Sequence, residues 1–185
     1  MEAYNQDKTY ERENKLLKSE YENCTFQNCD FSNNDFSHYK FIDCTFQNCN
    51  LSLLKCNQTS FRDVQFIKSK MLGFRFDTCN EFGLSFNFQE CQLNHSSFYK
   101  TIIKKTSFKD SQMEEIDFVQ CNLSGSIFDN CNLMLSMFDQ SNLEKVDFRT
   151  SYNYSLDPEN NKIIGAKFST AGIQGLLRKY KIEID

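Results

Sequence analysis

Nine cysteines and two histidines are the side chains best suited to nucleophilic or metal chemistry in this 185-residue chain, and their placement argues against both. Cys24, Cys29, Cys44 and Cys49 set the pattern, at spacings of five and its multiples rather than in the paired C-x2-C arrangement of zinc sites. His38 and His95 occur singly, with no Cys or Ser beside them placed as an activated nucleophile. Glu114 and Glu115 are sequence neighbours, which suits solvated carboxylates better than an acid–base pair. No phosphate-cradling glycine loop or cluster of metal-ligand residues appears. The expectation is a chain with no catalytic residues, no cofactor and no metal. The cysteines then read as small space-filling hydrophobes, with a metal or redox role for a Cys24–Cys44 stack as the alternative.

The elements that hold these residues announce themselves through phenylalanine. Of 19 Phe, all but Phe74 and Phe82 fall on a five-residue ladder. One register runs Phe26, Phe31, Phe36, Phe41, Phe46, Leu51, Phe61, Phe66, Met71, Phe76 and Phe86. A second, shifted by two, runs Phe88, Leu93, Phe98, Ile103, Phe108, Met113, Phe118, Leu123, Phe128, Leu133, Phe138, Leu143 and Phe148. A 3.6-residue period would carry such a ladder around every side of a helix, and a 2-residue period would flip it across a strand. It faces one interior only if the chain turns a quarter revolution per repeat, so that four repeats close a square coil.

The hexapeptide CTFQNC at Cys24–Cys29 recurs unchanged at Cys44–Cys49, which supports a twenty-residue coil. Two positions before each ladder residue the chain is mostly small, as at Cys24, Thr59, Ser96 and Cys131, because larger groups would collide with the central side chains. Eight of the nine cysteines sit there, and Cys56 replaces a ladder residue. From Phe98 to Phe148 Phe alternates with Ile, Met or Leu, placing Phe on two opposite faces of a filled tube. Coils stacked at the sheet spacing of about 4.8 Å make residues 21–155 a rod on the order of 30 Å long. The interruption between Phe76 and Phe88 puts Glu81 at a ladder position and adds two residues.

These repeats, with Cys-Asn-Leu cores at Cys49–Leu51, Cys121–Leu123 and Cys131–Leu133, resemble the pentapeptide-repeat family. The resemblance implies an all-β fold, a right-handed quadrilateral parallel β-helix. The expected division is an N-terminal cap over 1–20 with Leu16 as first inward residue, coils over 21–155, and a loop and last repeat over 156–168. A C-terminal module then occupies 169–185. Ser169 is expected as helix N-cap, followed by an apolar stripe of Ile173, Leu176, Leu177 and Tyr180 and an alternating strand from Lys181 to Ile184. This tail is similar to the helix and strand through which the Qnr and MfpA group of quinolone-resistance proteins dimerises. The resemblance implies a homodimer that binds DNA gyrase or topoisomerase IV by imitating duplex DNA, and so protection from quinolones or toxins. The alternatives are a helix that only caps its own solenoid and a scaffold for an unrelated protein. This chain lacks the long projecting loop of several Qnr relatives.

Net charge is −4 and unevenly spread. Between residues 111 and 147 Glu114, Glu115, Asp117, Asp129, Asp139, Glu144 and Asp147 face only Lys145, 1 − 7 = −6. These seven are the candidate partner-binding surface, suited to a basic groove; the plain alternative is a solvated outer wall. The middle of the chain, with Lys100, Lys104, Lys105 and Lys109, is basic but lacks interleaved aromatics, so direct nucleic-acid binding is not expected. Met134, Leu135 and Met137 fall at outward positions, a candidate contact patch unless the 152–164 excursion covers them. Residues 1–19 hold no apolar run for a signal peptide or membrane span, so a cytoplasmic protein is expected.

Overall fold

The structure, a computed structural model, describes residues 3–183. Strands β1 (Ala3–Gln6), β3 (Ser19–Glu22), β5 (Lys40–Ile42) and β7 (Ser60–Arg62) form one parallel sheet. Strands β2 (Thr9–Glu11), β4 (Thr25–Gln27), β6 (Thr45–Gln47), β8 (Val64–Ile67), β9 (Phe86–Gln89), β10 (Ser107–Lys109) and β11 (Ile127–Asp129) form a second. Single parallel bridges such as Asn50↔Lys70 and Ser97↔Asp117 join successive coils on the two remaining sides. The chain is a right-handed quadrilateral β-helix of about six turns. Thr25 pairs with Thr45 and Phe26 with Phe46, so the repeated CTFQNC segments lie one above the other.

Four columns of ladder side chains fill the interior. Face I carries Phe26, Phe46, Phe66, Phe88, Phe108, Phe128 and Phe148; face II Phe31, Leu51, Met71, Leu93, Met113 and Leu133. Face III carries Phe36, Cys56, Phe76, Phe98, Phe118 and Phe138, and face IV Tyr21, Phe41, Phe61, Ile103, Leu123 and Leu143. All are buried. Most quarter turns are made two residues after the ladder position, where the backbone adopts positive φ, as at Asn23 (49°) and Lys145 (58°); after Phe76 a 3-10 turn, Phe76–Thr78, replaces it. Asn and Asp take this left-handed conformation readily, whereas most side chains pay about 1–2 kcal/mol for it. The square section is therefore imposed by the closed interior against local preference.

The aromatic columns change partners at the register shift. In the early coils stacks run on adjacent faces, Tyr21–Phe41–Phe61 on face IV and Phe26–Phe46–Phe66 on face I. Beyond it, face III takes over from face IV: Phe76 stacks on Phe98 at 4.3 Å, and Phe98 on Phe118 at 5.1 Å. From there Phe occupies two opposite faces and meets across the tube edge to face, as at Phe108–Phe118 (80°) and Phe118–Phe128 (83°). Two extra residues between Cys79 and Phe86 permit the switch, since bridges then span 22 residues, as at Phe66↔Phe88. Glu81 is exposed rather than inward, and Leu84 fills the space beneath it. Phe86 also departs from its expected ladder role: it pairs with Val64, at the position two before Phe88. Phe74 likewise sits two before Phe76, its ring 4.4 Å away. Large residues are tolerated at that position where a neighbouring column is thin.

Both ends differ from expectation in detail. Residues 3–11 pair with the coil that follows as a first rung, and Tyr10, stacked 5.1 Å from Phe26, precedes Leu16 as an inward residue. The C-terminal α-helix, α1, covers only Gln174–Leu177 and passes into a 3-10 turn at Arg178–Tyr180. Its N-cap is Ile173, with no capping side chain; Ser169 instead accepts a hydrogen bond from the Gly172 N–H (3.0 Å) in the turn before it. Gly172 and Gly175 lie against Tyr154, where a Cβ would fall 2.0 Å and 2.4 Å from its atoms, so α1 rests directly on that residue. Residues 181–183 form no strand, and Lys181 is left-handed (φ 52°). Ile184 lies outside the described residues.

Candidate functional site

With the interior filled, the groups available to a partner are those on the outer wall. The cysteines are not among them. All nine are free and buried. All but Cys56 share a structural position with Ser and Thr, whose hydroxyls donate to the carbonyl of a ladder residue one coil earlier: Ser136 to Met113 (2.6 Å), Ser141 to Phe118 (2.6 Å), Thr59 to Phe36 (2.7 Å). Cys49 reaches Phe26 O and Cys131 reaches Phe108 O the same way, at 3.3 and 3.4 Å. Space filling alone, the sequence expectation, omits this tie between coils. Burial pushes the Cys44, Cys49, Cys121 and Cys131 thiols up to about 12, far from the depressed values of reactive thiols. Among the described residues no three His, Cys, Asp or Glu groups are gathered to hold a metal.

The seven candidate acids do not form one surface. Asp129 and Asp147 are on face I, Glu114 and Glu115 at the end of face II, Asp117 and Asp139 on face III, and Glu144 on face IV. Asp147 is matched by Arg149, 2.8 Å away, whose hydrogen bond holds the carboxyl below the usual range. Asp129 accepts from Thr150 (2.9 Å). The dispersal follows from the twenty-residue coil, since acids spaced by other intervals end on different sides.

Three of the seven are brought together. Glu114, Glu115 and Asp117 surround the corner between faces II and III. Glu114 accepts from Asn132 Nδ2 (2.7 Å), Glu115 lies 3.3 Å from His95, and Asp117 accepts from the Val119 N–H (2.9 Å). Directly above, one coil on, stand Met134, Leu135 and Met137: the Glu115 N–H donates to Met134 O, and Asp117 bridges Met137. These three apolar residues are 41%, 68% and 52% exposed, so the 152–164 excursion does not cover them. Tyr152, exposed and next in the column above Asn132, extends the patch and was not singled out from sequence. The offset of twenty that stacks 114 on 134, 115 on 135 and 117 on 137 was the signal that reveals the arrangement.

The tail stripe is divided. Leu176 packs against the solenoid's own core, whereas Ile173 and Tyr180 are exposed and Leu177 is half-buried. Lys179 Nζ clamps the tail to the preceding loop through Asp157 (2.7 Å) and Glu159 (2.6 Å), and the Tyr180 hydroxyl donates to Glu159 (3.0 Å). The Lys179 hydrogen bonds hold both carboxyls below their ordinary range. No described helix is long and apolar enough to cross a membrane.

Comparison with known proteins agrees with this architecture. A search of curated proteins finds no match. Among solved structures, full-length QnrB1, a plasmid-mediated fluoroquinolone resistance protein, superposes with a TM-score of 0.65 at 19% identity, over 97% of this chain and 100% of that one. A trypsin-treated, singly substituted QnrB1 gives 0.66 at 19% identity over the whole of both chains. At that identity the likeness is one of fold. The family model for the pentapeptide repeat region matches residues 19–87 and 84–153. With a matching model over most of its length and coils of four five-residue sides, the chain belongs to the pentapeptide-repeat family.

Proposed function

We propose that this chain is a non-catalytic protein-binding rod of the cytoplasm, whose partner is a type II DNA topoisomerase, DNA gyrase or topoisomerase IV. The observation that carries the protein-binding part is the exposed corner of Glu114, Glu115, Asp117, Met134, Leu135 and Met137 on a rod whose interior is full. The choice of topoisomerase draws its support from the likeness in fold, end to end, to a fluoroquinolone resistance protein. A homodimer through the tail, presenting Ile173, Leu177 and Tyr180 to a second copy, would repeat the corner on both halves.

Dispersal of the acids over four faces shifts the reading away from an all-round imitation of duplex DNA. Contact through one corner, anchored by apolar groups and steered by three carboxylates, fits the arrangement better. Purified chain added to gyrase and topoisomerase IV supercoiling and decatenation assays is expected to inhibit them, or to protect them from a quinolone, at micromolar concentration. Light scattering on the same sample reads the assembly. Absence of any effect or binding on either enzyme rejects the topoisomerase reading and leaves a scaffold for another protein.

A further inference from the structure

We infer that the corner between faces II and III docks a basic amphipathic α-helix of the partner protein. The inference rests on the protein-binding reading and names the chemistry of the partner surface. Two coils supply the site, one acidic (Glu114, Glu115, Asp117) and one apolar (Met134, Leu135, Met137), in register through the Glu115–Met134 hydrogen bond and the Asp117–Met137 bridge.

Charge identifies the occupant. Among described residues no Lys or Arg forms an ion pair with these carboxylates: His95 stands 3.3 Å from Glu115, and Arg75, two coils away in the Asp117 column, acts on Asp117 only at longer range. An acidic or neutral partner would leave the acids uncompensated at the contact, whereas Lys and Arg side chains match them. Spacing identifies the shape. Coils repeat at about 4.8 Å and helical turns at about 5.4 Å, so a helix lying along the rod axis sets basic residues over one coil and apolar residues of the next turn over the other. Two of the three apolar groups are Met, whose unbranched thioether adapts to such a surface.

Leu135 stands at the corner itself, between the two apolar Met side chains. Among the described residues, two left-handed non-Gly corners carry apolar side chains, Leu53 and Leu135, 61% and 68% exposed. Asn or Gly would hold φ 58° at lower cost, and the Leu side chain is the most exposed of the three apolar groups.

The test uses the full chain and an 18-residue helical peptide of Leu and Lys, with Leu at i, i+3 and i+4, and a control in which Glu replaces every Lys. The Leu/Lys peptide is expected to bind and the Leu/Glu peptide not to. Met134→Ser, Leu135→Asn and Met137→Ser together should weaken binding at least about tenfold, mostly through faster dissociation. Glu114→Gln, Glu115→Gln and Asp117→Asn together should slow association and flatten its salt dependence. Glu20→Gln with Glu22→Gln, at the far end of the rod, should change nothing, and thermal melting confirms that each variant folds. Equal binding of the two peptides, or an apolar triple variant within twofold of the unmodified chain, overturns the inference. Peptide binding without topoisomerase binding rejects only the choice of enzyme; topoisomerase binding with indifference to both peptides rejects only the helix.

Discussion

Phe128→Ala is expected to cost about 3–5 kcal/mol of stability, the range for emptying a buried aromatic site. Phe128 is fully buried, stacked between Phe108 (4.7 Å, 4°) and Phe148 (5.0 Å, 5°), and edge-on to Phe118 and Phe138. The cavity has no route to collapse, because the backbone around it is fixed by hydrogen bonds to the coils above and below, among them Ile127 N to Thr106 O (3.0 Å) and Phe128 N to Asp147 O (2.9 Å). A solenoid couples each coil only to its neighbours, so the loss should fall on the C-terminal coils first and separate their unfolding from that of the N-terminal ones. Denaturant titration of Phe128→Ala should show a lowered and broadened or two-step transition. Ile127→Ala, at an exposed position on the same strand, should stay within about 0.5 kcal/mol. Equal effects of the two substitutions would contradict the packing described.

Alkaline solution should destabilise the chain steeply above about pH 9. Burial raises Cys91 to about 11 and Cys44, Cys49, Cys121 and Cys131 to about 12, against about 8.5 for an unfolded thiol. A folded-state value above the unfolded one means that the contribution to stability is fully present below about pH 8.5 and is lost as pH rises towards 12. Several thiols act in the same direction, as do half-buried Tyr10 and buried Tyr21, Tyr39 and Tyr154, whose hydroxyls are also raised by burial. The melting temperature should therefore fall progressively between pH 8.5 and 11, and less so in Cys131→Ser with Cys121→Ser. Ser141 and Ser151, at equivalent sites, donate to the ladder carbonyl one coil earlier, so Cys131→Ser keeps the tie between coils, and Cys121→Ser still reaches the Thr101 hydroxyl. Native protein at pH 7.5 should resist thiol alkylation until unfolded. A melting temperature constant to pH 11, or rapid alkylation of the native chain, would place the thiols outside the core.

The architecture was legible because the rule that creates it is written in each repeat. Phe26, Phe46 and Phe66 need one interior, and the CTFQNC copies measure the coil. The exceptions lay where the rule pauses. Phe86 obeys the first register numerically yet belongs to the second, because two inserted residues move the frame before it. Glu81 would have pointed inward on the same count, and desolvating an unpaired carboxylate is costlier than letting the loop turn. At the tail, four apolar residues at helical spacing suggested one stripe. The short helix instead splits them, since Leu176 is claimed by the core beside Tyr154.

The candidate site was legible only in part. Charge counting along the chain found the acids, but the five-residue period already sends them to more than one face, and the seven are spread around four sides. Met134, Leu135 and Met137 were legible as outward residues. Their place above Glu114, Glu115 and Asp117 follows only once the twenty-residue offset is applied to the outer positions as it was to the core.

Carboxyl footprinting of the chain alone and bound to a partner reads all seven acids at once and tests the one-corner account most directly. With gyrase or topoisomerase IV as partner, Glu114, Glu115 and Asp117 should be protected, while Asp129, Asp139 and Glu144 label as in the free chain. Protection spread evenly over all four faces, or confined to faces I and IV, would contradict it.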